Sequence, residues 1–365
     1  MTERPDSSPA GAIAGHAGIE PAYGTPSLAP WLSAQQMQLL GLRGHALLLH
    51  GPSGLGQYDL ALALARAWLC ECPGEQGACG ACDSCHAIDV RTHPDLAVLM
   101  PETTSLELGW PLDEKVQKEL DEKKRKPSRQ IRVEAARSVI AFSQLTRSRG
   151  SCKVVLVYPA ERMNTESANT LLKTLEEPSG EVRFILASEA ADQLLPTIRS
   201  RCQAHALSWP EPQAALGWLL AAARSEALKP GDAASLQTCL QAAGGRPQDA
   251  LQWARAGLTP RTWSSLPRSM AAGDWSLLSE WPMPLQLEVM QKLCHDLMAV
   301  AGGGAPRFFE RDQLPAPPSW RVLARWSREL LQEARSVEHP FQPALSQQTW
   351  AARTRERLGS GRGAS

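Results

Sequence analysis

An α/β fold, a parallel sheet with helices on both faces followed by an all-helical region, is what this sequence of 365 residues predicts, on three observations. Four short apolar runs recur in the first part, over residues 45–50, 95–100, 153–158 and 183–187, and helical stretches separate them. Apolar strands alternating with helices build parallel sheets, because the crossover helices cover both faces. A glycine-rich turn, Gly51-Pro-Ser-Gly-Leu-Gly56, joins the first run to a helical pattern over 59–66, the order of a phosphate-binding strand–loop–helix unit. After Trp209-Pro-Glu-Pro212 the strand signals stop, and helical patterns rich in Leu, Ala and Trp continue to Arg357.

Each segment has its own signature. Residues 1–28 and 354–365, rich in Gly, Ala, Ser, Pro or Arg, read as a flexible leader and a flexible tail. Between them the patterns divide into an α/β domain over 29–209, a helical lid over 210–258 and a final helical domain over 259–353, the last boundary resting on Gly257 and Pro260. Most tryptophans fall in the helical half, where large aromatics at helical spacing are expected to pack its core. Within the first domain, 101–130 is dense in charge and reads as an exposed insertion, part helix.

Composition narrows the function. Lys and Arg number 38 and Asp and Glu 38, a net charge of zero. Phosphate neutralisation needs a local excess of Lys and Arg, so strong DNA binding by this chain alone is not expected, and a nucleic-acid role would be shared with partners. No continuous apolar stretch suits a membrane span, and no apolar region follows a basic start, so a cytoplasmic location is expected.

The loop keeps Gly51, Gly54 and Gly56 but has Gln57 and Tyr58 where a working loop carries lysine and then serine or threonine. The lysine neutralises the β- and γ-phosphates and the hydroxyl holds Mg²⁺. Glutamine and tyrosine cannot do both, so the chain is expected to have the frame of a nucleotide site without its chemistry.

Nine cysteines in a cytosolic chain favour metal ligands and buried thiols over disulfides. Cys79, Cys82 and Cys85 form a C-x-x-C-x-x-C run, with Cys70 and Cys72 just upstream. Four thiolates in so short a segment suit tetrahedral zinc, and a site closed by four sulfurs is structural. Cys70, Cys79, Cys82 and Cys85 are the expected ligands, with Cys72 as the spare; His86 and His93 are weaker substitutes. Cys152, Cys239 and Cys294, in apolar surroundings, read as ordinary buried thiols.

Three segments follow in order: a helix over 169–178 with Leu171, Leu172 and Leu175 on one face and Pro178 at its end; the run Val182-Arg-Phe-Ile-Leu-Ala187; and Leu195-Pro-Thr-Ile-Arg-Ser-Arg-Cys202. This set resembles the AAA+ subunits of DNA polymerase clamp loaders over roughly residues 40 to 210, and the cysteine cluster is typical of bacterial members. The resemblance implies a helical lid and a C-terminal helical collar after the α/β domain. By the family's spacing the Walker B acidic pair falls at Tyr158 and Pro159, and the lid's sensor arginine at Gln248, with Arg246 two residues early. These departures point to the ATPase-inactive branch, with no ATPase or polymerase activity of its own.

Arg201, flanked by Ser200 and Cys202, matches the family arginine that projects into a neighbouring subunit's ATP site. The implied partners are γ/τ ATPase subunits, the δ subunit, the sliding clamp and, through the complex, primed DNA. Two other classes compete. An active ATPase with an unusual P-loop would turn over ATP alone; a zinc-containing DNA-binding regulator would bind duplex with strong salt dependence.

Overall fold

The computed structural model describes residues 28–42, 44–229, 231–334 and 343–359. The first part runs α1 (Pro30–Leu40), β1 (Ala46–His50), α2 (Gln57–Leu69), α3 (Asp83–Asp89), β2 (Leu96–Leu99), α4 (Glu102–Glu107), α5 (Glu114–Asp121) and α6 (Val133–Gln144). It continues with β3 (Lys153–Val157), α7 (Thr165–Glu176), β4 (Val182–Ser188), α8 (Pro196–Arg199) and β5 (Gln203–Ala206). Among the described residues only helices follow: α9 (Pro212–Ser225), α10 (Ala233–Ala242), α11 (Pro247–Arg255), α12 (Pro260–Ala272), α13 (Met283–Ala301), α14 (Trp320–Ala334) and α15 (Pro343–Gly359).

The strands pair in parallel in the order β2-β3-β4-β1-β5. Because side chains alternate across a strand, β1 to β4 each feed two cores. Leu47, Leu49, Val154, Leu156, Ile185 and Ala187 pack with α1 and α2. Ala46, Leu48, Val155, Val157, Phe184 and Leu186 pack with α6 and α7. Burial on both faces is why these strands read as unbroken apolar runs. The strand absent from the sequence reading is β5, whose Gln203-Ala-His-Ala206 is mostly exposed and pairs on one side only, with β1. With two alanines, a glutamine and a histidine it carries no apolar run to detect.

The limits of α7 come from the chemistry of its ends. In α7 the Asn164 side chain accepts from the Ser167 backbone N–H at 2.8 Å, satisfying a donor the first turn leaves free; the helix closes at Glu176, ahead of Pro178. In the charged insertion α5 buries nothing, as expected of a solvated helix, but Trp110 beside it is 8% exposed and packs inward. The insertion is therefore not wholly exposed.

The helical half shares one apolar cluster from Ala215 to Leu358. Trp253 is fully buried and meets Trp263 and Trp281 edge to face, and Trp263 stacks on Phe309 at 4.5 Å. Trp209 and Trp320 depart from the expected core role and lie exposed. The expected loose tail is corrected over its described part: α15 runs to Gly359 and buries Thr354 and Leu358. The leader over 1–27 and the tail over 360–365 lie outside the described residues. No helix among the described residues is long and apolar enough to cross a membrane.

Candidate functional site

The glycine-rich loop sits between β1 and α2, with Gly54 and Gly56 in the left-handed region at φ 78° and 100°, where glycine alone is unstrained. The Gln57 side chain is buried and turned back on the loop. Its Nε2 donates to the carbonyls of Gly51 and Pro52 at 2.8 and 2.7 Å, so a neutral amide answers oxygens inside the cradle.

Tyr58, in the Mg²⁺-ligand position, accepts from Trp110 Nε1 at 2.7 Å, and its ring lies 5.2 Å from that of Tyr158. Tyr158 in turn donates to Glu189 Oε1 at 2.8 Å. Burial raises the pKa of both phenols and of Glu189, so neither phenol is poised as an anionic ligand. Two aromatic rings, an indole and a half-buried carboxyl thus stand beside the loop at Tyr58.

The start of α11 closes the other side. Gln248 donates its backbone N–H to Gly54 O at 3.1 Å and its side chain to Asp59. Ser53 Oγ donates to Asp249 Oδ2 at 2.8 Å, and a Cβ on Gly54 would lie 2.6 Å from the Asp249 carboxyl. A polyphosphate laid on the loop would meet this acid, like charge against like. Arg246 does not face the loop as a phosphate ligand: it pairs with Asp249 at 2.7 Å and Glu288 at 3.3 Å.

Ser200, Arg201 and Cys202 follow α8 and precede β5, on a different stretch of the domain surface. Arg201 donates to Glu176 Oε1 at 2.7 Å, to Thr197 O at 2.9 Å and weakly to Ser200 Oγ at 3.4 Å. Its partners come from α7, α8 and the adjoining serine, none from the glycine-rich loop. Ser200 Oγ donates to Thr197 O. Burial pushes the Cys202 thiol up to about 11, so it stands as a packed thiol and not as a nucleophile.

Of the five clustered cysteines, Cys70, Cys72, Cys79 and Cys82 lie between α2 and α3, and Cys85 lies in the first turn of α3. The sulfurs of Cys70, Cys72, Cys79 and Cys82 are all within 4.8 Å of one another, with Cys70–Cys82 at 3.8 Å and Cys72–Cys79 at 3.7 Å. A tetrahedral zinc with Zn–S bonds of about 2.3 Å requires sulfurs roughly 3.8 Å apart, so the donor set and its spacing fit the ion. Cys85, of the expected set, is not in this group of four; it is fully buried, its thiol against Cys70 and Cys82. Backbone N–H groups of Ala81 and Cys82 lower the Cys79 pKa to about 6, toward the thiolate a metal takes. His93 does not approach as a ligand: its Nδ1 accepts from the Asp95 backbone N–H. Cys152, Cys239 and Cys294 are buried as expected.

Sequence reasoning missed Trp110, Glu189 and Asp249. Trp110 carried a signal, a lone aromatic between Gly109 and Pro111 in a charged segment. Asp249 carried one too, in the first turn of a helix that starts at Pro247. Glu189 had none, because its role comes from where β4 ends relative to Tyr158.

Residues 34–211 match the family model described as "DNA polymerase III, delta subunit". The chain is similar to the DNA polymerase III subunit delta' of Pseudomonas aeruginosa, 40% identical over 220 residues, a match that takes in 60% of this chain and 58% of that protein. It is 31% identical to the subunit delta' of Yersinia pestis over 331 residues, 87% of this chain and 89% of that protein. It also resembles the DNA polymerase III subunit tau of Salmonella typhimurium, 32% identical over 163 residues, 45% of this chain and 21% of that protein.

Proposed function

We propose, because the chain belongs to the DNA polymerase III subunit delta' family, that it serves the clamp loader as a subunit that does not hydrolyse ATP and lends Arg201 to the site of a neighbouring γ/τ-type ATPase. The observation that carries the first half is the filled phosphate loop, with the Gln57 amide on its carbonyls and Asp249 bound to Ser53. The chemistry of hydrolysis is then left to the neighbour. A planar guanidinium offered in trans stabilises charge that builds on the γ-phosphoryl group during transfer. Arg201 suits that task because its charge stands at the domain surface, 28% exposed, and is held by one exposed carboxylate.

In this reading the α/β domain over 29–209 meets the ATPase neighbour, and the helical lid over 210–258 and collar over 259–353 hold the assembly together. The δ subunit, the sliding clamp and primed DNA are engaged through the complex, in the cytoplasm. Zinc, held by four of the five clustered cysteines, pins the polar segment between α2 and α3 and has no part in the reaction.

The test is reconstitution with γ/τ and δ subunits of the same cell, carrying Arg201→Ala. Assembly is expected to be unchanged, while turnover at the neighbouring site falls on the order of a thousandfold. Unchanged turnover and clamp loading would refute the donor role. ATP hydrolysis by the isolated chain would refute the inactive one.

A further inference from the structure

Zinc accepts four sulfurs and this segment places five together. Cys70 is buried and Cys85 fully so, and Cys82 is half-buried, whereas Cys72 and Cys79 are both exposed, their sulfurs 3.7 Å apart. Cys79 belongs to either four-sulfur set, the one expected from the run and the one the closest spacing selects. Whichever set holds the metal, loss of Cys79 strips a ligand. With Cys72 gone, Cys70, Cys79, Cys82 and Cys85 still supply four sulfurs.

We propose that Cys72 and Cys79 form an oxidisable pair on the outer side of the zinc module, a modification site for peroxide whose disulfide releases the metal; this rests on the zinc reading above. The Cys79 thiolate attacks one oxygen of hydrogen peroxide, breaks the O–O bond and becomes a sulfenic acid, and the departing hydroxide takes a proton to leave as water. The Cys72 thiol then attacks that sulfur and forms the disulfide, its proton passing to the hydroxide it expels, which leaves as water. The two sulfurs are oxidised by two electrons in all, and one peroxide is reduced to two waters. The three remaining thiols, Cys70, Cys82 and Cys85, leave the zinc one ligand short of a closed site. Reduction of the disulfide restores the full set.

The experiment uses the zinc-loaded full chain, with metal content measured first. Hydrogen peroxide is then added while zinc release is followed with a chromophoric chelator and disulfides are mapped by mass spectrometry. The expected result is about one equivalent of zinc at the start, release in step with a Cys72–Cys79 disulfide, and recovery of binding after reduction. Cys72→Ser, loaded with zinc to the level of the wild-type chain, is expected to release it several-fold more slowly under the same peroxide, because the disulfide cannot form. Two outcomes overturn the proposal with zinc present: release without that disulfide, or equally fast release from Cys72→Ser. Less than about half an equivalent in the untreated wild-type chain would overturn the zinc reading itself.

Discussion

The phosphate loop and the Ser200–Cys202 edge belong to the same α/β domain and treat their polar side chains in opposite ways. At the loop, Gln57 answers the loop's own carbonyls, Ser53 binds Asp249, and Tyr58 is covered by Trp110. At the edge, Arg201 keeps its charge at the surface with an exposed carboxylate as its only ionic partner among the described residues. At the loop the polar side chains are taken up from within the chain, by carbonyls, a carboxylate and an indole. The proposed donation to a neighbour demands the reverse, a charge held at the surface by something weak enough to let go.

The largest expected effect sharpens the edge. Arg201→Lys keeps the charge but loses the planar fork, so in the reconstituted complex it should behave much as Arg201→Ala does, with steady-state ATPase as the readout; wild-type turnover from the lysine variant would mean that charge alone suffices. The next tests the loop. Gly54→Ala forces a side chain into φ 78° and to within 2.6 Å of Asp249, and should cost on the order of 2 kcal/mol or more in urea unfolding. Gly150→Ala is its control: the same sign of φ, 62°, but nothing within 4 Å of the added methyl. Equal costs at the two positions would mean that the contact with Asp249 is slack.

Much of this was legible in the sequence, and what was not shares a cause. The three inner strands, β1, β3 and β4, announce themselves because both faces are buried, and Asn164 and Pro178 bracket α7 by simple end chemistry. The loss of lysine and hydroxyl at Gln57 and Tyr58 could be read residue by residue. That the gap is filled could not, because Trp110 and Asp249 reach the loop from 52 and 196 residues along the chain from their partners. The same limit explains the cysteine cluster: spacing identifies a group of thiols, but which four sulfurs stand closest depends on how the turn after α2 folds.

The seal at the loop continues into the helical half, and pH offers a way to break it there. Asp249 pairs with Arg246, Arg246 with Glu288, and Glu288 with Lys292, which is nearly buried beneath Trp253. Burial brings the Lys292 pKa down to about 8 from its ordinary 10.5, more than Glu288 restores. Between those values the unfolded chain binds the proton that the folded chain has given up, so stability gains from this group as pH rises from about 8, by at most ~1.4 kcal/mol per pH unit. In Lys292→Met that contribution should vanish. Urea unfolding of both chains at pH 7.5 and 9.5 checks it, and identical pH dependence would mean that the ammonium is better solvated than its burial implies.

The smallest effect is the one that decides how Arg201 is held. Its pair with Glu176 has the carboxylate 55% exposed, and such surface pairs are worth about 0–1 kcal/mol. Glu176→Gln should therefore change stability by less than about 1 kcal/mol, since Thr197 O still accepts from the guanidinium. If Glu176 merely rests the side chain between encounters, turnover of the reconstituted complex stays within a few-fold of wild type, with the pair's loss removing a contact that engagement must break. If Glu176 aims the guanidinium, turnover falls about tenfold or more with the chain's own stability unchanged, because a misplaced group costs rate even where it costs no folding energy. The weakness of an exposed ion pair favours the first outcome, and the contrast with the loop then holds at the level of single side chains: Gln57 is fixed by two carbonyls inside the fold, whereas Arg201 is held by an exposed carboxylate and one backbone carbonyl.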